Sequence, residues 1–273
     1  MSSYIFEHPE LPWNYQILSS NPIITLQDVF EHPELEWSLE GLSSNPSITW
    51  NDIIEHPELL WHQQSSYNPN ITWENIQEHP EFPWDFTVLT SHPNITIEIM
   101  ETNPNFPWNW NMLLCNPNIT WDYIDTNMRG LNSNDLWIIG NNPCITWDII
   151  KQNPKIKWDY QSISMNPNIT WDNVCEKPNA KWDYKYLSSN PTITWDIIQQ
   201  NPDKRWNFDR ICLNKNITFE LAQEIGIEHF QSLSLNPNIT WETVENNPTY
   251  QWDYSQLSHN SHIGYDDTPY ILK

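Results

Sequence analysis

The segment NPNITWDNVCEKPNAKWDYKYLSSNPTITW, residues 166–195, decides the fold of this 273-residue chain, because its pattern recurs along the whole sequence. Each cycle contains two phrases. The first is N-P-x-I-T-W-D, as at residues 166–172, and the second is P-x-x-x-W-D-Y-x-x-L-S-S, as at residues 178–189. Self-similarity at a period of 20 to 50 residues is typical of a solenoid or another repeat array.

The period is close to 24 residues. The threonine of the first phrase recurs ten times, at Thr25, Thr49, Thr72, Thr96, Thr120, Thr146, Thr170, Thr194, Thr218 and Thr240. Tryptophan fills one position in each phrase, and 16 of the 18 tryptophans of the chain lie at these two positions. So many large aromatic side chains require burial, which argues against a disordered Asn/Pro-rich chain.

Each phrase predicts the start of a short helix. Thr170 is a good N-cap, and Asp172 follows in the first turn, where a carboxylate suits the helix dipole. Pro178 ends this A helix at Lys177, after about seven residues. A second, B helix is predicted from Trp182 to Ser188. We therefore expect an all-α solenoid of ten to eleven helix pairs; a β-solenoid is the alternative, which the helix start and stop signals disfavour.

The repeats predict a single domain over residues 1–273. Degenerate copies at residues 1–8 and 260–273 are interpreted as caps, which solenoids need for solubility. Two irregular repeats, near residues 127–141 and 215–230, lose the proline and the tryptophan of the phrase and gain glycine. Two interpretations are open. The irregular repeats reflect neutral drift, or they serve a function as a bend of the solenoid or as a binding site for a partner.

Charge is distributed unevenly. Residues 1–128 contain no Lys or Arg and carry a formal charge of −18, whereas residues 129–273 carry −5, out of −23 for the whole chain. The difference maps to the connection from A helix to B helix. Early connections read E-H-P-E and later ones are basic, so one rim is predicted to run from acidic to basic: Glu10, Glu34, Glu58 and Glu81, then Lys157, Lys181 and Arg205.

This rim is either a solvated edge that keeps the array soluble or a docking surface. Docking would take a protein partner with a basic surface, or a second copy whose basic half meets the acidic half in salt-sensitive oligomers. The strong negative charge argues against direct binding of nucleic acid or an anionic membrane.

No catalytic motif is present, so a non-enzymatic chain without a cofactor is predicted. His8, His32, His56 and His79 recur once per cycle, but adjacent helices about 8–10 Å apart are too distant for two of them to share a zinc ion. A polar residue at a helix C-terminus is the simpler interpretation. The recurring Glu pairs of E-H-P-E suggest structural use rather than acid–base catalysis.

The start of the chain lacks the features of a signal peptide, and no apolar run is long enough to span a membrane. The four cysteines form no C-x-x-C, which indicates a reducing compartment, and Cys175 is predicted to be a small buried residue. We expect a soluble, non-secreted, cytoplasmic protein. The six N-I-T sequons, at Asn70, Asn94, Asn118, Asn168, Asn216 and Asn238, are interpreted as by-products of the repeat without glycans.

The N-P-N-I-T-W-D repeats resemble uncharacterised Asn/Ile/Trp/Pro-rich repeat proteins of giant DNA viruses of the mimivirus and megavirus type. The resemblance covers nearly the whole chain and rests on the repeat phrase. It implies expression in an infected amoeba and supplies no activity and no functional residues.

These patterns predict a repeat scaffold for protein–protein interaction that uses its acidic rim. The alternatives are a self-assembling structural or virion-associated protein, and an acidic nucleic-acid mimic that occupies a basic partner.

Overall fold

A computed structural model describes residues 3–127, 130–227 and 230–263. Within these ranges the chain forms twenty α-helices and three short 3-10 helices and contains no strand. The predicted all-α tandem repeat is confirmed, and its helices pair into A and B helices along the described residues.

The A helices follow the first phrase and are mostly six residues long. They span Ser3–Glu7, Leu26–Glu31, Trp50–Glu55, Trp73–Glu78, Ile97–Thr102, Trp121–Asn127, Trp147–Gln152, Trp171–Glu176, Trp195–Gln200, Phe219–Glu224 and Trp241–Asn246.

The B helices follow the second phrase and are equally short. They span Tyr15–Leu18, Leu39–Ser44, Phe86–Thr90, Ser133–Gly140, Tyr160–Ile163, Tyr184–Ser188, Phe208–Ile211, Phe230–Leu233 and Tyr254–His259. In two cycles a 3-10 helix takes the place of the B helix, at Gln63–Tyr67 and Met112–Cys115, and a third 3-10 turn, Pro57–Leu59, lies in a connection.

The predicted A-helix N-cap is confirmed. The Thr170 hydroxyl accepts from the backbone N–H of Asn173, whose side chain in turn accepts from the backbone N–H of Thr170, which completes a capping box. This helix ends at Glu176, with Lys177 as its C-cap. The repeat thus satisfies the exposed backbone donors of helices that are too short to be stable alone.

The predicted start of the B helix is wrong by two residues. The helix begins at Tyr184, and Asp183 is its N-cap, with a carboxylate that accepts from the backbone N–H groups of Lys185 and Tyr186. Asp183 has extended backbone, and Trp182, which precedes it, is buried. An aspartate is a far better N-cap than a tryptophan. The helix therefore begins directly after Asp183, two residues after Trp182.

Three apolar ladders form the core. The isoleucine of the first phrase is at most 2 % exposed in every repeat from Ile24 to Ile263. One apolar residue of each A helix and one of nearly every B helix are also buried, as Val174 and Leu187 show. Tryptophans add large buried area, which two-turn helices otherwise lack.

An asparagine ladder joins the repeats. The first asparagine of the first phrase, which precedes proline in eight of these repeats, is buried in ten: Asn21, Asn45, Asn68, Asn116, Asn142, Asn166, Asn190, Asn214, Asn236 and Asn260. The Asn166 Oδ1 accepts from the backbone N–H of Asn168 at 2.9 Å. Its Nδ2 donates to the carbonyl oxygens of Gly140, Asn142 and Ile145 of the preceding repeat, at 2.9, 3.0 and 3.1 Å. Each repeat is therefore fixed to its predecessor through buried backbone carbonyls that would otherwise lack partners.

His92 replaces asparagine in one repeat and is 4 % exposed. Its Nδ1 accepts from the backbone N–H of Asn94 at 3.1 Å, so the ring reproduces the role of the asparagine Oδ1.

The sequon asparagines belong to a second set of inter-repeat bonds. Asn118 Nδ2 donates to the Pro93 carbonyl at 2.7 Å, and Asn168 Nδ2 donates to the Pro143 carbonyl at 2.7 Å. These side chains are engaged in holding repeats together.

Internal contacts divide the chain into two compact units that consist of the same repeat, whereas the sequence predicts a single domain over residues 1–273. Unit 1 comprises Met1–Asn70 and Ile217–Lys273, and unit 2 comprises Ile71–Asn216. Unit 1 thus brings together the two ends of the sequence.

The two ends of the sequence meet in a contact that we call the closing joint. It is formed by Trp13, Asn14 and Asn21 near the N-terminus and by Trp241, Ser258 and Asn260 near the C-terminus. Asn21 Nδ2 donates to the carbonyl oxygens of Ser258 at 2.9 Å and Asn260 at 3.2 Å. The described parts of the predicted caps therefore lie in one unit beside this joint; residues 264–273 of the second cap lie outside the described residues.

The closing joint repeats the geometry of an internal joint. Asn14 N–H donates to Ser258 Oγ at 3.1 Å, as Ser38 N–H donates to Ser19 Oγ at 2.8 Å. The rings of Trp13 and Trp241 lie 5.8 Å apart at 47°. In the internal pair of Phe219 and Trp252 the ring centroids lie 5.7 Å apart and the ring planes meet at 36°.

The cysteines differ from one expectation. Cys175 is exposed rather than buried, because it lies one residue past the core position that Val174 fills. Cys115 is also exposed, Cys212 is buried, and none of the four cysteines forms a disulfide.

Candidate functional site: the charged rim

The acidic part of the rim consists of four His–Glu pairs. His Nδ1 lies 3.1, 3.4, 2.9 and 3.0 Å from Glu Oε1 in the pairs His8–Glu10, His32–Glu34, His56–Glu58 and His79–Glu81. An ionised carboxylate only accepts hydrogen bonds, so the Nδ1–H of each ring donates. The first three pairs belong to unit 1 and the fourth to unit 2.

Each histidine is the C-cap of an A helix, as the sequence predicts for a polar residue there. The His56 N–H donates to the Asp52 carbonyl at 3.2 Å, and the His56 carbonyl accepts from Trp61 Nε1 at 3.0 Å. Later repeats use asparagine in this position; Asn153 Nδ2 donates to the Ile149 carbonyl at 2.9 Å. In three of the four acidic connections the tryptophan of the second phrase thus anchors the histidine to the core.

Aromatic residues of the preceding A helix hold two of the histidine rings. Phe6 stacks on His32 with ring centroids 4.0 Å apart and planes at 12°. Phe30 contacts His56 at 4.9 Å. These rings fix the histidines, and the histidines in turn orient the carboxylates toward solvent.

The rim carboxylates are exposed and acidic. Their side chains are 62–71 % exposed. The pKa of Glu58 is lowered by its hydrogen bond with His56 and then by its own backbone N–H. For Glu10 and Glu81 the backbone N–H is the larger cause of the lowered pKa, and the histidine is the second. Glu10, Glu58 and Glu81 are therefore ionised at neutral pH.

The predicted basic residues lie on the same connection but at a different position. Lys157, Lys181 and Arg205 directly precede Trp158, Trp182 and Trp206 and are exposed. The position of Glu10 is taken in those repeats by other residues, among them Lys155 and Asp203. All three basic residues belong to unit 2, which also holds Glu81, while Glu10, Glu34 and Glu58 belong to unit 1.

Other basic side chains of unit 2 are engaged within the chain. Lys177 Nζ donates to Tyr160 Oη at 3.1 Å and lies 5.7 Å from the Trp147 ring centroid. Lys204 Nζ pairs with Asp203 Oδ2 at 2.9 Å. The basic part of the rim is thus less strongly charged than the sequence suggests.

The first irregular repeat forms an open groove in unit 2. The groove has a volume of about 690 Å³ and is lined by Trp121, Asp125, Leu131 and Lys157, among others. Gly130 has φ +75 and no neighbour that a Cβ would contact. The missing proline and tryptophan of the phrase leave this space unfilled.

The second irregular repeat ends its A helix differently. Ile225 is its C-cap, and Gly226, with φ +70, follows at the next position. The Ile227 N–H donates to the Ala222 carbonyl at 2.9 Å. The Gly226 N–H donates to the Gln223 carbonyl at 3.2 Å, which makes a Schellman motif. The side chains of residues 228–230 lie outside the described part of the chain.

Among the described residues, no group of three or more His, Cys, Asp or Glu could hold a metal ion. In the same ranges no helix is long and apolar enough to cross a membrane. Compared with known proteins, the chain matches no family model, no curated sequence and no solved structure.

The sequence assigns the rim residues to the connections between A and B helices but does not show what orients their side chains. The intervals of two residues between His and Glu and of five between His and Trp recur in the early repeats and were the available signal. The closing joint was also missed, because the partial phrases at both ends are interpreted as caps.

Proposed function

We propose that the chain is a non-enzymatic repeat scaffold that binds a protein partner with a basic surface through its acidic rim. The observation that carries this proposal is the set of exposed carboxylates, each oriented by a histidine. A tryptophan indole fixes three of these histidines, His32, His56 and His79, to the core. Pre-ordered charges lower the entropy that binding would otherwise cost.

Charge supports the proposal as well. No Lys or Arg occurs in residues 1–128, so no cation from this part of the chain can neutralise the rim. Such a surface steers a basic partner and sets its orientation, and the association rate falls as salt rises.

The test compares two triple variants of equal net charge. The rim variant carries Glu10→Gln, Glu34→Gln and Glu58→Gln. The control carries the same change at three exposed first-turn residues of A helices, Glu74, Glu98 and Glu242. The probe is a lysine/arginine-rich peptide, and its affinity is measured at low and at moderate salt.

We expect the rim variant to bind at least about tenfold more weakly at low salt, and the control to change little. Equal weakening of both variants would mean that only net charge matters and would contradict the proposal. Affinity capture from infected host cells then identifies the natural partner; capture of a DNA-binding protein that DNA competes away would favour a nucleic-acid mimic.

The second candidate is a self-assembling structural or virion-associated protein. It is favoured by the exposed Lys157, Lys181 and Arg205 on the same connection that carries the glutamates. The basic connections of one copy would meet the acidic connections of another. A mass from light scattering that stays monomeric at low salt would remove this candidate.

The resemblance to giant-virus repeat proteins supports placing this interaction in the cytoplasm of an infected amoeba. Fractionation of infected cells with an antibody against the chain tests this location. Recovery in purified virions would instead support the structural candidate.

A further inference from the structure

The closing joint pairs two surfaces that belong to distant parts of the sequence. Asn21 and Ser258 are separated by 237 positions, yet their bond is the same as the internal bond between Asn45 and the Ser19 carbonyl at 2.9 Å. The C-terminal repeat therefore recognises the N-terminal repeat as its next neighbour. Nothing in these contacts requires that both surfaces come from one chain.

Two buried donors at the joint lack a partner among the described residues. Trp37, Trp61, Trp84, Trp108, Trp158, Trp182, Trp206 and Trp252 donate Nε1–H to the C-cap carbonyl five residues earlier. Trp13 Nε1 makes no such bond, and neither Trp13 Nε1 nor Tyr4 Oη has a hydrogen-bond partner. Buried unsatisfied donors are costly, so the closing joint lacks the stabilisation that the indole bond gives in the other repeats.

Aromatic contacts still make the joint specific. Tyr4 stacks on Trp241 at 4.9 Å, and Tyr254 meets Trp13 edge-on at 5.1 Å and 86°. In the internal pair of Tyr15 and Trp37 the ring centroids lie 5.5 Å apart and the ring planes meet at 81°. These aromatic side chains would become exposed to solvent whenever the joint opens.

We propose that the closing joint is a self-recognition surface: the C-terminal repeat binds the N-terminal repeat of a second copy through the contacts it makes with its own. The joint-exchanged dimer contains two such joints. The proposal is independent of the acidic rim. In dilute solution the joint forms within one chain, because the effective concentration of the chain's own N-terminal repeat exceeds the concentration of other copies. Exchange requires that the joint opens at a high concentration of chains.

The test uses the full chain labelled with donor or acceptor dye at its exposed cysteines, Cys115 and Cys175. The two batches are mixed in urea under reducing conditions and refolded together at high concentration. Light scattering then gives the mass, and energy transfer reports dimers that contain both dyes. A circularised chain, with residues 273 and 1 joined by a peptide bond, cannot exchange its joint.

We expect mixed dimers that persist at high salt from the linear chain and only monomers from the circularised chain. Monomers alone from the linear chain, or dimers from the circularised chain, would overturn the proposal. A second comparison avoids refolding. Asn21→Ala should speed native dimer formation about tenfold, because it removes the two bonds that Asn21 donates across the joint. Asn166→Ala removes bonds between two internal repeats and should not speed it. Equal rates for the two variants would contradict the proposal.

Discussion

Asn21 donates its side-chain amide to the backbone carbonyl of Ser258 at 2.9 Å, across 237 positions of sequence. The same bond joins Asn45 to Ser19 and Asn214 to Ser188 over 26 positions. One asparagine per repeat thus specifies both the internal joints and the closing joint.

The asparagine ladder should dominate stability. Asn166→Ala removes three donated bonds and leaves buried carbonyls without partners, so the free energy of unfolding should fall by about 2–4 kcal/mol. Asn51→Ala, on the exposed face of an A helix, should change it by less than about 0.5 kcal/mol. Urea unfolding monitored by tryptophan fluorescence measures both. Similar midpoints for the two variants would argue against the ladder.

The indole bonds of the second phrase can be tested with an internal comparison. Trp182→Phe loses the bond to the Lys177 carbonyl at 2.9 Å and should destabilise the chain by about 1–2 kcal/mol more than Trp13→Phe. Trp13 has no such bond to lose. Thermal unfolding by circular dichroism gives the difference, and a larger loss for Trp13→Phe would refute this account of the rim anchor.

The capping box predicts a small, specific loss. Thr170→Ala should cost about 1 kcal/mol, because the Asn173 N–H loses its acceptor, whereas Thr170→Ser should retain most of the stability. Both variants are measured by urea unfolding. An alanine variant as stable as the serine variant would show that the cap contributes nothing.

The His–Glu pairs predict a dependence on pH. Because the pKa of Glu58 is lowered in the folded chain, its contribution to stability is present above the pKa of the unfolded chain. That contribution is lost as pH falls through the lowered folded-state pKa. In His56→Asn the carboxyl pKa should rise toward its ordinary value, which carboxyl NMR titration measures. An unchanged titration would exclude the histidine as a cause.

Local signals in the sequence sufficed for much of the fold. Thr170 and Pro178 bound the A helix because capping and proline sterics act within a few residues. The predicted start of the B helix at Trp182 is too early, because the residue after the tryptophan, Asp183, is the N-cap and the helix begins after it. The rim residues were found by counting positions, whereas the support of His32 by Phe6 depends on packing between repeats.

The closing joint depends on more than local chemistry. Which repeat the last one meets is set by small rotations that accumulate at every joint, and no single phrase encodes them. The identity of the ladder residues at Asn21 and Asn260 shows only that the two ends are compatible.

The most direct test of the closing joint is a spin-label distance. Gln16 and Ser255 line one groove beside the joint. In the repeat, Ser255 corresponds to Glu40 and Gln16 corresponds to Gln64. At that internal joint the Gln64 Nε2 donates to Glu40 Oε1 at 2.7 Å. The native cysteines are replaced by serine. One variant then carries spin labels on cysteines introduced at Gln16 and Ser255, and a second variant carries them on cysteines introduced at Glu40 and Gln64. The account predicts matching dipolar broadening for both pairs, as expected for neighbouring helices about 8–10 Å apart. Broadening for the Glu40 and Gln64 pair alone would contradict it.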